Sequence, residues 1–519
     1  MWDRLKPFLP GHRDLQRQRD EAVSARLRAE LQCEQAEAAR WDAVREREQA
    51  EEVRWKAVRA RERADEARAQ ALRERDAMRS ALDGLATPTG HSGFDILKAL
   101  QSRLDQLQRS VNLVAARTPV VARPIRVLFV AHFAQAWMTL EGIYRAMAAD
   151  PDFEPVVATI DHRFHSDAPF SGEAALSAML EARHIPHLRW GALAGAEGTM
   201  LLTSLAPDVV FLQTHWSDSF PAPLHPRNIG FARTCYVHYG QEICTAGHDE
   251  DVLNSEYVLG AWRVFCSSET VHAMYEARSR KGASHVVVTG NPKLEYLHGL
   301  RNQAGVWPMR SIPCRFRVLW AVHHSIGDGG SGVFPAVCRD MLAWAQSEPE
   351  MEFVVTFHHL FGAAITTCEH MTAKEFEDFL SAWRALPNTG VYDDPDIGPA
   401  FAASDALITD GISFPVEYQM VGKPLFGFEA SRYDLTEFGA QAFEGVYRVR
   451  TVGDVAEMIR RFRAERHDPR AEARNAIRKT LLPHPDGATR RILNEIRNAI
   501  FTEPHAVRPV ARVSRIRSV

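Results

Sequence analysis

The chain has 519 residues, of which 45% are hydrophobic and 25% charged, and its formal net charge at pH 7 is -4. That length exceeds what one hydrophobic core supports, so two or three domains are expected. The small negative charge argues against a general nucleic-acid binder. No apolar stretch approaches the roughly 20 residues that a membrane span requires. The seven cysteines form no Cys-x-x-Cys pair, and the start lacks a secretory signal, which together predict a cytoplasmic protein.

The region 1–118 has helical heptad patterns. Alanine recurs every seven residues from Ala22 to Ala71 in a charged, proline-free segment. This pattern predicts a long helix, and we favour a coiled coil over a solitary helix held by ion pairs between turns. A second helix carries apolar residues in strict heptad spacing at Leu97, Leu100, Leu104, Leu107, Val111 and Val114. Such a stripe predicts self-association through an N-terminal coiled-coil region.

From residue 126 onwards, short apolar runs alternate with amphipathic segments, which predicts parallel sheets covered by helices on both faces. The first series of predicted strands covers 126–131, 155–160, 208–213, 234–239, 263–267 and 285–289. The second series covers 317–322, 352–357, 390–392, 406–410, 424–428 and 445–449. We therefore predict an α/β protein with two Rossmann-like domains, at 125–307 and 314–502, the second closed by a helix over 488–501.

The tail 503–519 contains four arginines and no acidic residue after Glu503. This composition predicts a disordered basic segment. Because basic segments are attracted to anionic lipid surfaces, peripheral contact with the inner face of the cell membrane is a further hypothesis.

The segment 404–424 has the sequence features of an anion-binding turn. An apolar run, 406–408, reads as a buried strand, and a turn and a helix follow it. The residues that carry the prediction are Asp410, Gly411, Ser413 and Glu417. Free backbone N–H groups at a helix start favour phosphate, and ligands of open α/β sheets sit at such turns. The alternative is an ordinary strand-to-helix turn with a capping serine.

Four segments, in this order and spacing, resemble the CDP-glycerol glycerophosphotransferase family, the GT-B enzymes that build teichoic-acid-like and capsular polymers. They are Val-Val-Val-Thr-Gly-Asn-Pro-Lys at 286–293, Val-Leu-Trp-Ala-Val-His-His-Ser at 318–325, Glu-Phe-Val-Val-Thr-Phe-His-His at 352–359, and the segment 404–424. The resemblance covers roughly 126–500. It implies a GT-B pair of domains, with the acceptor in the first and a nucleotide-activated donor in the second. No cofactor is expected.

The sequence departs from the family pattern at three places. Ile412 stands where the family often has a second serine, and His359 replaces the usual proline. In the first domain, His238-Tyr239-Gly240 stands where the family commonly has His-Gly. These departures leave the identity of the donor open.

The resemblance implies roles for individual residues. On this interpretation His238 is the catalytic base, while His358, with Ser413, neutralises the donor diphosphate. His323, His324 and Ser325 would line the mouth of the same donor site. Glu417 would hold a ribose or polyol hydroxyl, and Asp410 would orient a histidine or brace the turn. For each residue the alternative is a packing role.

Two further predictions concern the acceptor and metals. His132 and Trp137 follow the first strand, where an acceptor should enter, although packing is the favoured alternative for both. The pairs 323–324 and 358–359 contain adjacent histidines. Adjacent residues of a strand point to opposite faces, so each pair would offer one ligand at most and no metal site is expected.

The leading hypothesis is a transferase that moves glycerol phosphate, or a related polyol phosphate, from a CDP-activated donor to a hydroxyl of a cell-surface polymer. Its acceptor would be a polysaccharide or a lipid-linked chain. One alternative is a GT-B glycosyltransferase with a nucleotide-sugar donor. Another is a non-catalytic assembly protein that recruits partners through its coiled coil.

Overall fold

The structure, a computed structural model, describes residues 124–163, 169–192, 195–216, 219–244, 248–309, 316–326, 332–366, 368–429, 434–465 and 467–501, with Arg17 and most of 100–111. The heptad segment that precedes residue 100, apart from Arg17, and the basic tail lie outside this set. The described residues of 100–111 are helical. Leu100, Leu104, Leu107 and Val111 are half-buried there, and their described neighbours are exposed. No helix in the described ranges is long and apolar enough to cross a membrane.

The first domain is built on a seven-stranded parallel sheet in the order β3-β2-β1-β4-β5-β6-β7. The strands are β1 Ile125–Ala131, β2 Phe153–Ile160, β3 Leu188–Gly191, β4 Val209–Leu212, β5 Arg233–Val237, β6 Arg263–Cys266 and β7 Val286–Val288. The helices are α1 Ala134–Ala148, α2 Glu173–Ala182, α3 Gly195–Leu205, α4 Pro226–Ile229, α5 Glu256–Gly260, α6 Glu269–Arg278 and α7 Pro292–Gly299. Single turns of other helix types occur at Ala222–Leu224 and His248–Leu253.

The second domain is built on a six-stranded parallel sheet in the order β10-β9-β8-β11-β12-β13. Its strands are β8 Phe316–Val322, β9 Met351–Phe357, β10 Thr389–Val391, β11 Ala406–Thr409, β12 Leu425–Phe428 and β13 Tyr447–Val449. The helices are α8 Phe334–Ser347, α9 Phe361–Thr366, α10 Ala373–Ala385, α11 Gly398–Ala403, α12 Phe414–Glu417, α13 Glu437–Phe443, α14 Val452–Glu465, α15 Ala471–Leu481 and α16 Ala488–Ala499. A 3-10 turn, Tyr418–Met420, continues α12.

Both sheets confirm the predicted Rossmann-like α/β architecture, and every predicted strand is present with slightly different ends. The strand β3 is absent from the prediction. It is a short edge strand whose side chains are exposed or half-buried, so its sequence, Leu-Arg-Trp-Gly, contains no apolar run. This edge strand gives a weak sequence signal because little of its side-chain surface is buried.

The final helix, α16, packs against the first domain although it follows the second sheet in sequence. Its buried residues recur along one face, and four of them join the core formed by β1 and α1: Ile492, Leu493, Ile496 and Ala499. Arg497 adds an ion pair with Asp152 at 2.8 Å. The division predicted from sequence places this helix in the second domain, whereas its packing surface belongs to the first.

Candidate active site between the two sheets

A cavity of about 990 Å³ lies between the two domains, where the carboxyl ends of both sheets meet. In each sheet the order of the strands reverses beside its first strand, at β1/β4 and at β8/β11. Ligands of open α/β sheets bind at such points of reversal. Loops that follow β1, β4, β8, β9 and β11 supply lining residues, including Phe133, Trp216, His323, His358 and Ser413. The cavity therefore occupies the position that the topology favours for a ligand.

Four histidines from the second domain form one cluster at the cavity. The ring of His324 stacks on His358 with the ring centroids 4.2 Å apart and the planes 28° apart. His323 lies 4.4 Å from His324, and His359 lies 4.2 Å from His358, again between centroids. All four line the cavity. The predicted residues His323, His324 and His358 are thus brought together, and His359 joins them.

This arrangement differs from the prediction that each histidine pair offers one ligand at most. One ring nitrogen from each of His323, His324 and His358 lies within 4.8 Å of the others. The strand alternation does not apply, because β8 ends at Val322 and β9 ends at Phe357, so all four histidines lie beyond the strands. Three imidazoles at this separation match the residue type and number that a zinc site uses.

The hydrogen bonds of two of these rings favour an oxyanion over a metal. The Nδ1 atom of His358 accepts a bond from the backbone N–H of Leu360 at 3.2 Å. Likewise, Nδ1 of His323 accepts from the backbone N–H of Ser325 at 3.3 Å and contacts its Oγ at 2.7 Å. A nitrogen that accepts a hydrogen bond carries no proton in neutral imidazole, so the proton is on Nε2. Each ring then offers an Nε2–H donor instead of a lone pair for a metal.

Burial keeps His323, His358 and His359 neutral at pH 7. It lowers the pKa of His358 to about 2, and the neighbouring histidines lower that pKa further. The pKa values of His323 and His359 are both lowered to about 4 for the same reasons, burial first. An anion bound against the Nε2–H groups would raise these pKa values, because it stabilises imidazolium.

Asp410 and Ser325 do not line the cavity; they hold His323 in place. The Oδ1 atom of Asp410 accepts the backbone N–H of His323 at 2.7 Å, and Oδ2 accepts that of Val333 at 2.7 Å. Burial raises the pKa of Asp410 to about 7. Of the two roles predicted for Asp410, the structure has it bracing the loop through the backbone of His323.

The helix behind Ser413 gives less support to an anion site than its sequence suggests. The helix α12 spans only Phe414–Glu417, and the Ser413 side chain makes no capping hydrogen bond. The backbone N–H groups of Val416 and Glu417 both donate to the carbonyl of Ser413 at 3.1 Å. Gly411 donates its N–H to Thr409 at 2.9 Å. Gly411 and Ser413 do line the cavity, but the cluster of free N–H groups expected there is mostly used within the protein.

Glu417 lies at the floor of the cavity in an ion pair between the domains. Its Oε1 atom accepts from Nζ of Lys293 at 2.7 Å, and its side chain is fully buried. Among the described residues, Oε2 of Glu417 has no hydrogen-bond partner. The turn at Gly290 and Asn291 places Lys293: Asn291 caps α7 by accepting the Lys293 N–H at 2.9 Å and donates to the His238 carbonyl at 2.7 Å.

The structure does not bring His238 to the cavity. Its ring is buried, with Nδ1 at 2.8 Å from Glu242 and Nε2 at 2.8 Å from the hydroxyl of Tyr275. Both ring nitrogens therefore face protein groups, and the neighbouring Tyr239 lines the cavity instead. This geometry supports a packing and positioning role, and it gives no ring nitrogen for an acceptor hydroxyl.

His132 and Trp137 are also absent from the cavity lining. Trp137 lies in α1, and its side chain is fully buried in the core, where its ring meets that of Phe129 edge-on with the centroids 6.5 Å apart. His132 is fully buried, and burial and the nearby His162 hold its pKa well below the usual value. Both residues fit the packing alternative better than an acceptor role.

The first-domain residues that do line the cavity were not predicted. Phe133 and Trp216 follow β1 and β4, and Tyr239 follows β5. Gln213 fixes the loop that carries Phe133: its Oε1 accepts the N–H groups of His132 and Phe133 at 2.6 and 3.0 Å. The signal that could have found them is position, since Phe133 and Trp216 come shortly after predicted strands and Tyr239 is the last residue of one.

Comparisons with known proteins agree with this architecture. No family model and no curated protein matches the sequence. A structure assigned to UDP-N-acetylglucosamine 2-epimerase from Listeria monocytogenes is 14% identical, with a TM-score of 0.50, over 73% of this chain and 96% of that chain. A variant of the wall teichoic acid polymerase TagF is 12% identical, with a TM-score of 0.50, over 78% of this chain and 95% of that chain. At such identities the likeness shows the fold alone: this chain has the GT-B fold that it shares with TagF.

Proposed function

We propose that this protein is a GT-B transferase that binds a nucleoside-diphosphate donor in the cavity between its domains. The observation that carries the proposal is the histidine cluster at the carboxyl ends of β8 and β9. In it Nδ1 of His323 and of His358 accepts a backbone hydrogen bond, which leaves Nε2–H of each ring as the donor. Our finer proposal is that the donor is CDP-glycerol or a related CDP-polyol, and that a glycerol-phosphate or polyol-phosphate unit is transferred.

The histidine cluster suits a diphosphate because the histidines can take up a proton when the diphosphate is bound. Among the described residues that line the cavity, Lys293 is the only side chain with a permanent positive charge, and it is paired with Glu417. Neutral Nε2–H donors can bind phosphate oxygens without the desolvation cost of buried cations. When the leaving phosphate gains charge, a proton on a histidine stabilises it. His358, which contacts His323, His324 and His359, is assigned this role.

Glu417 supplies a second donor contact in this proposal. A buried carboxylate oxygen without a hydrogen-bond partner is costly, and a ligand hydroxyl that donates to it removes the cost. In Glu417 that oxygen is Oε2, and the residue lines the cavity. A ribose or polyol hydroxyl of the bound nucleotide would donate a hydrogen bond to Oε2 of Glu417.

The acceptor hydroxyl must lose a proton as it attacks. We assign His359 as the base, because its ring faces Phe133 of the first domain at 5.8 Å between centroids. The neutral imidazole takes the proton while the acceptor oxygen forms a bond to the donor's polyol-bearing phosphorus. The phosphoanhydride bond breaks, and CMP leaves with the electron pair. His238 has no part in this step, because Glu242 and Tyr275 occupy its ring nitrogens.

A donor panel tests the proposal. Purified full-length protein is incubated with CDP-glycerol, CDP-ribitol, UDP-sugars and GDP-sugars, and the released nucleotide is separated and quantified. CMP release supports polyol-phosphate transfer. UDP or GDP release would overturn that assignment in favour of a glycosyltransferase. The absence of release and of binding with every donor would support the non-catalytic assembly alternative.

A further inference from the structure

The first-domain side of the cavity is an aromatic wall formed by Phe133, Trp216 and Tyr239. The ring of Trp216 meets Tyr239 edge-on at 5.7 Å, and Tyr239 meets Phe133 edge-on at 5.7 Å. Trp216 is 39% exposed, and it is the one aromatic residue among the exposed large hydrophobic side chains of the described ranges. An exposed indole at the mouth of a cavity provides a flat apolar surface that a ligand can cover.

The polar side chains that the structure describes on this wall are neutral. Gln135 and Ser219 line the cavity beside the three aromatic rings. The backbone N–H of Ser219 donates to the carbonyl of Trp216 at 3.1 Å, which ties these two residues to each other. An amide and hydroxyls can both donate and accept hydrogen bonds, which is what a ligand rich in hydroxyl groups requires.

The charges around the cavity disfavour an anionic acceptor. On the first-domain side, the only charged residue among the described lining residues is Lys293, which is paired with Glu417 at 2.7 Å. On the opposite rim, Asp393 and Asp394 line the cavity and are exposed. A polyol-phosphate chain carries one negative charge per unit, so among the described lining residues it would meet carboxylates without matching permanent cations.

We propose that this wall is an acceptor subsite for a neutral carbohydrate, one ring of which stacks on Trp216. The inference rests on the proposed transferase function and names its acceptor class. The hydrophobic face of the sugar ring covers the indole, and ring hydroxyls bond to Gln135 and Ser219. One hydroxyl then points towards His359, next to Phe133. The protein therefore modifies a neutral glycan chain and does not extend a polyanionic polyol-phosphate chain.

Ligand-observed NMR on the full-length protein tests this subsite without any donor. Saturation-transfer spectra are recorded with maltotetraose, cellotetraose and tetra-N-acetylchitotetraose, and separately with an oligomer of glycerol phosphate. We expect saturable binding of at least one neutral oligosaccharide. Trp216→Ala should weaken that binding by about tenfold or more, whereas Trp216→Phe, which keeps an aromatic face, should retain most of it.

Three results would overturn the inference: no neutral oligosaccharide binds, Trp216→Ala leaves binding unchanged, or the glycerol-phosphate oligomer binds more tightly than every neutral oligosaccharide. Circular dichroism and donor binding confirm that each variant is folded. The donor panel is a separate measurement, so its failure would reject the proposed function alone. Oligosaccharide binding that depends on Trp216 would stand independently.

Discussion

Gln213 and Asp410 occupy the same position in the two domains, and each ties down the loop that follows the first strand of its sheet. Gln213 directly follows β4 and accepts the backbone N–H groups of His132 and Phe133. Asp410 directly follows β11 and accepts the backbone N–H of His323. In both sheets this brace crosses the point where the strand order reverses. Gln213 thus fixes Phe133 of the aromatic wall, and Asp410 fixes His323 of the histidine cluster.

Replacing either brace should damage one side of the cavity only. In Asp410→Asn, one N–H acceptor becomes an N–H donor that faces a backbone N–H, which costs about 1–3 kcal/mol. We expect weaker nucleotide binding and a lower unfolding free energy, measured by calorimetry and denaturant titration.

The matched variant is Gln213→Glu, whose second carboxylate oxygen would face the carbonyl of Phe133, to which the Gln213 amide donates at 3.1 Å. This variant should weaken oligosaccharide binding and leave nucleotide binding close to that of the wild type. Equal effects of both variants on both ligands would argue against separate donor and acceptor sides.

The buried histidines should make the ligand-free protein less stable in mild acid. The pKa of an unfolded histidine is about 6.5, whereas in the folded protein that of His323 is lowered to about 4 and that of His358 to about 2. Below pH 6.5 the unfolded chain takes up protons that the folded cluster does not bind. The unfolding free energy therefore falls as the pH drops from about 6.5 towards 4.

Denaturant titrations at pH 7.5, 6.5 and 5.5 measure this slope. The double variant His323→Gln/His358→Gln should have a shallower slope than the wild type, because it lacks two of the groups whose pKa values are lowered by folding. Some slope should remain, since other buried histidines, such as His132 and His285, still contribute. The exposed His467 supplies the control substitution, His467→Gln, which should leave the slope unchanged. An identical slope in the wild type and the double variant would show that these two rings titrate normally in the folded protein.

The ion pair between Lys293 and Glu417 links the two domains and should behave as a coupled unit. Removal of one partner leaves the other charge buried, so Lys293→Met should destabilise the protein by about 3–5 kcal/mol. The double variant Lys293→Met/Glu417→Gln has no buried charge at this position. It should be more stable than the single variant Lys293→Met, as measured by thermal unfolding. Additive losses in the double-mutant cycle would contradict the coupling.

The sequence predicted the features that depend on burial along the chain. Strands such as β1 and β8 contain long apolar runs because both faces of a parallel sheet are covered. The carboxyl ends of β8 and β9 place His323 and His358 at one edge. The short exposed strand β3 lacks that signal.

Features that depend on tertiary contacts could not be predicted. His238 follows a strand as His323 does, but Tyr275, 37 residues further on, occupies its ring. The role of Trp216 depends on its exposure at a cavity, which hydrophobic periodicity does not report. Lys293 meets Glu417 across 124 residues of sequence, a pairing that no local pattern encodes.

The central claim is that the histidine cluster binds the diphosphate of the donor. The most direct test is calorimetric titration of CDP and UDP into the wild type, His358→Ala and the control His467→Ala. Titrations in two buffers of different ionisation enthalpy also count the protons taken up. We predict that at least one nucleotide binds with proton uptake, that His467→Ala matches the wild type, and that His358→Ala weakens binding by about tenfold or more. An unchanged dissociation constant in His358→Ala would contradict the account.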